Sequence, residues 1–191
     1  MICLTMIVMD KSEQARRYFK WKEFQNAHRD ILLEFATKMG FNDPNAPEEF
    51  VLAESYSRAL AARAVLANYP DCRLFPMPLY WHFDFLLVDG EGNERGIEAK
   101  FRLNDSDEYP TDNISFKKKV YNKVSSETIP IDLYCTFFDG KTRVYDLNGK
   151  SEVSTWTHSR TTATEGELIT DQSLSFNPMD VLWTTTVSVP L

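Results

Sequence analysis

The sequence predicts an α/β protein, with a mixed sheet core flanked by helices, a helical N-terminal addition and a β-rich C-terminal one. Three observations lead there. Apolar residues recur at helical spacing between Ser12 and Met39, and the strongly helix-forming run AESYSRALAARAVLA follows. From Leu79 onward, aromatic and branched residues gather in short runs separated by turn residues. The composition, 43% hydrophobic and 26% charged over 191 residues with no low-complexity stretch, suits one domain with a real core.

The elements follow in order. The opening MICLTMIVM is apolar but too short for a membrane span and has no basic region before it. It reads as a short strand or packed arm. Phe19, Phe24, Ile31, Leu32 and Phe35 give Ser12–Met39 its helical spacing, and Gly40 stops it. A linker from Asn42 to Pro47 leads into a second helix, Pro47 to Tyr69, with Glu48 and Glu49 at its positive dipole end. Pro70, Pro76 and Pro78 break the helical pattern. LYWHFDFLLV then reads as a strand, DGEGN as a turn and ERGIEAKFR as the partner strand. NDSDEYPTDN is read as an acidic surface loop and SFKKKVYNKVSS as a short basic helix. IDLYCTFF and TRVYDL form another hairpin across a DG turn, and strand-like pieces recur around Trp156 and at VLWTTTVSV. Residues 1–46 are thus an N-terminal helical extension, 47–147 the core and 148–191 a β-rich segment.

The bulk numbers exclude some functions. A net charge of −7 argues against a generic, sequence-blind nucleic-acid binder but leaves room for an enzyme with a local basic strip. Cys3, Cys72 and Cys135 are far apart, with no CxxC and no His at ligand spacing, which argues against zinc and for a reducing cytoplasm. There is no HExxH, no Gly-rich phosphate loop and no spacing that supports a Ser-His-Asp set.

The chemistry concentrates in one hairpin. With its centre at Glu91, Asp84 pairs with Glu98 and His82 with Lys100. Directly opposed residues stand about 5 Å apart at Cβ. Alternation sends Ile97, Ala99 and Phe101 to one face, with Phe83 and Phe85, and Glu98 and Lys100 to the other, with His82 and Asp84. Two carboxylates so close repel unless a proton or cation lies between them, and hard oxygen ligands favour Mg²⁺ or Mn²⁺. Lys100 would orient a water or stabilise negative charge. The set suits attack by a metal-activated water on a phosphodiester. The plain alternative is a solvated strand face with an ordinary cross-strand Glu–Lys pair. Against it, Asp84 sits in an aromatic run, where an unpaired carboxylate is costly.

The segment HFDFLLVDGEGNERGIEAKFR resembles the core motif of the PD-(D/E)xK nuclease superfamily, the restriction-endonuclease-like fold. Asp84 matches the first acid, Glu98 the second and Lys100 the lysine; Phe83 stands where a Pro often precedes the Asp. The family order of helix, three-stranded meander, helix and strand maps onto about Pro47 to Leu147. The resemblance implies a metal-dependent nuclease, with DNA as the expected partner, no membrane, and room for a homodimer, because many such enzymes dimerise to cut both strands. It also implies a further helix carboxylate, best matched by Glu54 with Glu48 and Glu49 as rivals, and the Ala99 carbonyl near the metal. Glu54 reads equally as an exposed helix charge.

Four more basic positions are candidates for the nucleic-acid backbone. Arg102 continues the Glu98–Lys100 face and could hold a phosphate, or pair with the acidic loop. Lys117, Lys118, Lys119 and Lys123 form the densest basic patch, with Tyr121 among them and a solvated helix face as the bland reading; the resemblance implies that this helix gives the active site a polar or basic residue, Lys118 or Lys119, with Tyr121 and Asn122 as alternatives. His82 is a candidate base or a hydrogen-bonding sheet residue. Trp21, Trp81, Trp156 and Trp183 are expected in the core.

Overall fold

The computed structural model describes residues 11–109, 112–115, 129–147, 152–161, 168–176 and 178–191. The N-terminal MICLTMIVM and most of the basic segment, with Lys117, Lys118, Lys119, Tyr121 and Asn122, lie outside the described residues. Among the described residues no helix is long and apolar enough to cross a membrane.

The architecture is mixed α/β. Helices α1 (Lys11–Ala27), α2 (Arg29–Lys38) and α3 (Glu48–Asn68) come first. Strands β1 (Arg73–Pro76), β2 (Phe85–Val88) and β3 (Glu94–Phe101) form an antiparallel meander, and β5 (Ile131–Thr136) then runs parallel to β3. With β6 (Lys141–Asp146) and β9 (Trp183–Thr186) they make a six-stranded sheet in the order β1-β2-β3-β5-β6-β9. A second sheet has the order β4-β8-β7, from β4 (Asp112–Ser115), β7 (Glu152–Thr161) and β8 (Leu168–Phe176). The C-terminal segment is therefore shared: its last strand closes the main sheet against β6.

The hairpin between β2 and β3 has the expected register from Phe85, opposite Ile97, to Val88, opposite Glu94, but the ladder ends at Phe85, so the expected strand pairs Asp84–Glu98 and His82–Lys100 are not formed. Its turn explains why. Asp89 Oδ1 accepts hydrogen bonds from the Glu91 and Asn93 N–H groups, and Gly92 takes φ +89°, which a side chain would resist.

Central β3 is covered on both faces. Ile97 and Ala99 pack with Phe85 and Leu87 beneath α3, whose Leu52, Tyr56, Leu60, Ala61, Ala64 and Val65 recur at helical spacing. On the opposite face Ile131, Leu133, Cys135 and Tyr145 form a second cluster, joined by Phe83. This corrects the expectation that Phe83 shares a face with Phe85. The Phe83 ring lies over Gly96, where an added Cβ would stand 3.0 Å from it and 2.9 Å from Ile131 Cγ1. The chain leaves the regular ladder just before Phe85: only Phe85–Val88 of the expected strand 79–88 is strand, and residues 79–84 are turn and bend.

Other differences have local causes. The expected helix 12–39 breaks at His28, between α1 and α2. Both helices pack on the core. Arg17 donates to the Leu103 carbonyl and to Asp105, and Trp21 and Phe24 meet Phe101 and Tyr56. Asp112 and Asn113, read as loop, belong to β4, and β8 was not expected.

Candidate active site

α3 supplies the first part of the site. Glu54 and Arg58 are one helical turn apart and therefore share a face. Arg58 is 1% exposed, and its guanidinium is used on several sides. Nη1 donates to the Met77 carbonyl at 2.7 Å, Nη2 pairs with Asp84 Oδ1 at 2.8 Å, and the planar group lies over the Phe41 ring, 4.3 Å from its centroid. Nε stands 3.9 Å from Glu54 Oε2, too far for a good hydrogen bond.

β2 and β3 supply the second part. The Asp84 N–H donates to the Ile97 carbonyl at 2.6 Å, and Asp84 Oδ2 accepts the Ala99 N–H at 2.7 Å. The Asp84 side chain thus takes the place of the missing strand partner beyond the end of β2. Backbone N–H groups of Gly96 and Arg102 reach the β5 side, so the alternate residues, Ala99 included, turn their backbone groups toward Asp84. Glu98, on the other parity, is fully buried, and Lys100 Nζ lies 3.1 Å from Glu98 Oε1. A solvated strand face is excluded for Glu98.

These groups form one electrostatic unit. Burial raises the Glu54 carboxyl above its ordinary value; Lys100 and Arg58 oppose this, while Asp84 and Glu98 reinforce it. Burial by itself would lower the Lys100 ammonium, but Glu98, Glu54 and Asp84 outweigh it and hold the lysine above its ordinary range. Lys100 is therefore a fixed positive charge rather than a proton acceptor at neutral pH.

A cavity of about 430 Å³ opens beside the unit. Glu54, Lys100 and His82 line it together with Phe50, Tyr80 and Trp81. Trp81 is 47% exposed, which corrects its expected place in the core; Trp21 and Trp183 are part-buried against the core as expected.

Asp84, Glu98, Lys100, Glu54 and Ala99 are thus brought together, with His82 at the cavity wall. Arg102 lines a separate cavity with Trp21 and Tyr109. Glu48 and Glu49 pair with Arg29 and Lys22, so they serve the packing of α3 on the preceding helices. Arg58 was missed. Its signal was spacing: it stands at i+4 from Glu54 in an Ala-rich helix, where an arginine reads as surface.

A hard divalent ion fits the chemistry of this donor set. Glu54, Asp84 and Glu98 offer hard carboxylate oxygens to one place, and Asp84 and Glu98 add to burial in raising the Glu54 carboxyl. The present geometry is not yet a ligand cage. Among the described residues no three Asp, Glu, His or Cys side chains are grouped to hold a metal, and both Asp84 oxygens already take donors from Arg58 and Ala99.

Two outcomes follow for stability, both measured by urea denaturation with chelator present. Arg58→Met leaves Asp84 buried beside an apolar chain and should cost about 3–5 kcal/mol. Adding Asp84→Asn should return part of it, with a coupling of about 2 kcal/mol, and strict additivity would show that the pair is not energetically linked. Glu54 has a folded-state value above its unfolded 4.5. The unfolded chain therefore ionises first, and wild type loses stability as pH rises from there until the folded group also ionises. The stability of Glu54→Gln relative to wild type should increase over that window and level off above it; a difference that does not change with pH would remove Glu54 from the unit.

No family model matches the chain, and no curated protein and no solved structure matches it.

Proposed function

We propose that the protein is a metal-dependent nuclease that hydrolyses phosphodiester bonds, with DNA as its substrate. The observation that carries this reading is the joining of Asp84, Glu98 and Lys100 with Glu54 in one half-closed charged unit, at the wall of a cavity that a substrate can enter. Three carboxylates, a backbone carbonyl and a lysine held protonated are the groups that metal-assisted phosphodiester hydrolysis uses. The order α3, β1-β2-β3 meander, then β5 parallel to β3 supports the restriction-endonuclease-like form of the mixed sheet.

In this mechanism Asp84, Glu98, Glu54 and the Ala99 carbonyl would hold Mg²⁺ or Mn²⁺. When bound, the ion supplies Lewis acidity that neutralises phosphate charge and acidifies a water. Lys100 stabilises negative charge on the phosphate, and its neighbour Glu98 keeps the ammonium in position. Burial of Glu98 and Asp84 keeps bulk water from screening these charges. Arg102 and the Lys117–Lys119 run are assigned to the nucleic-acid backbone, outside the cavity itself.

One observation favours a second reading. Arg58 holds an oxygen that the ion would need, and it also bonds the Met77 carbonyl, so it clamps both ends of the loop between β1 and β2. That is the arrangement expected of a nuclease-fold protein which binds nucleic acid or protein without cutting.

The two readings separate in one assay. Wild-type protein should nick plasmid and degrade single-stranded DNA only with Mg²⁺ or Mn²⁺. Asp84→Ala and Lys100→Ala should each lose on the order of 10²-fold or more in rate. Equal activity in wild type and variants, or no metal-dependent cleavage by wild type, would sink the nuclease assignment.

A further inference from the structure

We infer that the cavity beside the charged unit is a stacking site for an unpaired nucleobase, so that the substrate enters as single-stranded DNA or as a frayed strand end. This rests on the nuclease reading and names its substrate class.

The cavity has two chemistries. Its floor carries Glu54 and Lys100. Its mouth is aromatic: Tyr80 is 67% exposed, Trp81 47% and Phe50 39%. Phe50 and Tyr80 lie near-parallel, at 20° with centroids 6.1 Å apart, and the Trp81 and His82 rings are 5.5 Å apart. Large rings left open to water at the mouth of a pocket mark a binding surface. Flat π faces above one cation match a nucleotide, with base on ring and phosphate toward ammonium.

The rings are mounted on a fixed loop rather than a loose one. Leu79 is buried with Ala36, Phe41 and Val51, the Trp81 N–H donates to the Pro78 carbonyl at 3.0 Å, and the Met77 N–H donates to the Asp84 carbonyl at 3.0 Å. Arg58 then bonds the Met77 carbonyl and the Asp84 carboxylate, joining the base of this loop to the charged unit. A base stacked there would bring its own phosphates next to Lys100.

Pairing state follows from access and charge. A base inside a duplex cannot lay its face on these rings without leaving the stack. A duplex binder also draws its affinity from many phosphate contacts. This chain has a net charge of −7, and among the described residues the cavity lining holds one lysine. Within the cavity, stacking then supplies what a single lysine does not. The volume, about 430 Å³, falls within the roughly 300–1,000 Å³ of small-ligand pockets and suits one nucleotide rather than a double helix.

The test is fluorescence anisotropy in EDTA, so that binding is read without cleavage. Three labelled probes are compared: a short single-stranded DNA, the blunt duplex of the same sequence, and a strand of the same length made of abasic sites. The single strand should bind about tenfold or more tighter than either of the others. Tyr80→Ala and Trp81→Ala should each weaken the single strand about tenfold, whereas Phe19→Ala, exposed on α1, should leave it unchanged. Equal binding of the abasic strand, or preference for the duplex, would overturn the stacking site. Unchanged binding by both ring variants would also overturn it and assign the rings to another partner, a protein included. If plasmid cleavage with Mg²⁺ survives such a result, only the pocket assignment falls; if cleavage is absent as well, the nuclease reading falls with it.

Discussion

The buried ion pair between Arg58 and Asp84 is the contact on which the arrangement of the site depends. Two charges at 1% and 2% exposure are tolerable only if they are paired and hydrogen-bonded. Asp84 meets this by taking the Ala99 N–H on one oxygen and the guanidinium on the other. Arg58 meets it through Asp84, the Met77 carbonyl and the Phe41 ring. Helix α3, the end of β1, the start of β2 and the middle of β3 are thereby tied at one point. The ladder can stop at Phe85 because the Asp84 carboxylate replaces the strand partner that β3 would otherwise lack.

That contact also sets the electrostatics. With Arg58 committed to Asp84, the remaining acids, Glu54 and Glu98, share Lys100. The lysine is held protonated and the Glu54 carboxyl retains its proton to higher pH than an exposed glutamate would. The carboxylates and the lysine stand beside an open cavity. The same clamp that orders the carboxylates also orders the loop bearing Tyr80 and Trp81, so the charged floor and the aromatic mouth are parts of one construction.

Much of this was legible in the sequence where local chemistry decides the outcome. DGEGN sets the hairpin register, because Asp89 caps the turn and Gly92 accepts the positive φ, and that register brings Asp84 to the end of the ladder, where it bonds Ile97 and Ala99 of β3. The Ala- and Leu-rich run specifies α3. What was not legible depends on partners distant in sequence. β1 was missed because Pro70 and Pro76 bracket it, yet Pro76 is tolerated at the end of an edge strand. Phe83 changes face because the chain bends before Phe85, and the space over Gly96 receives its ring. Arg58 looks like a surface charge until Asp84 and Met77 are brought to it. Trp81 and Tyr80 read as strand residues, because aromatic content alone does not distinguish a buried strand from a rigid exposed loop.

The proposed nuclease needs a divalent ion at this unit. Calorimetric titration of the chelator-treated protein with Mn²⁺, beside Glu98→Gln and Arg58→Met, tests it most directly. Wild type should bind saturably, Glu98→Gln should lose at least tenfold in affinity, and folded Arg58→Met, where Asp84 Oδ1 is released from the guanidinium, should bind more tightly. Absence of saturable binding in wild type, or equal binding by wild type and Glu98→Gln, would contradict it.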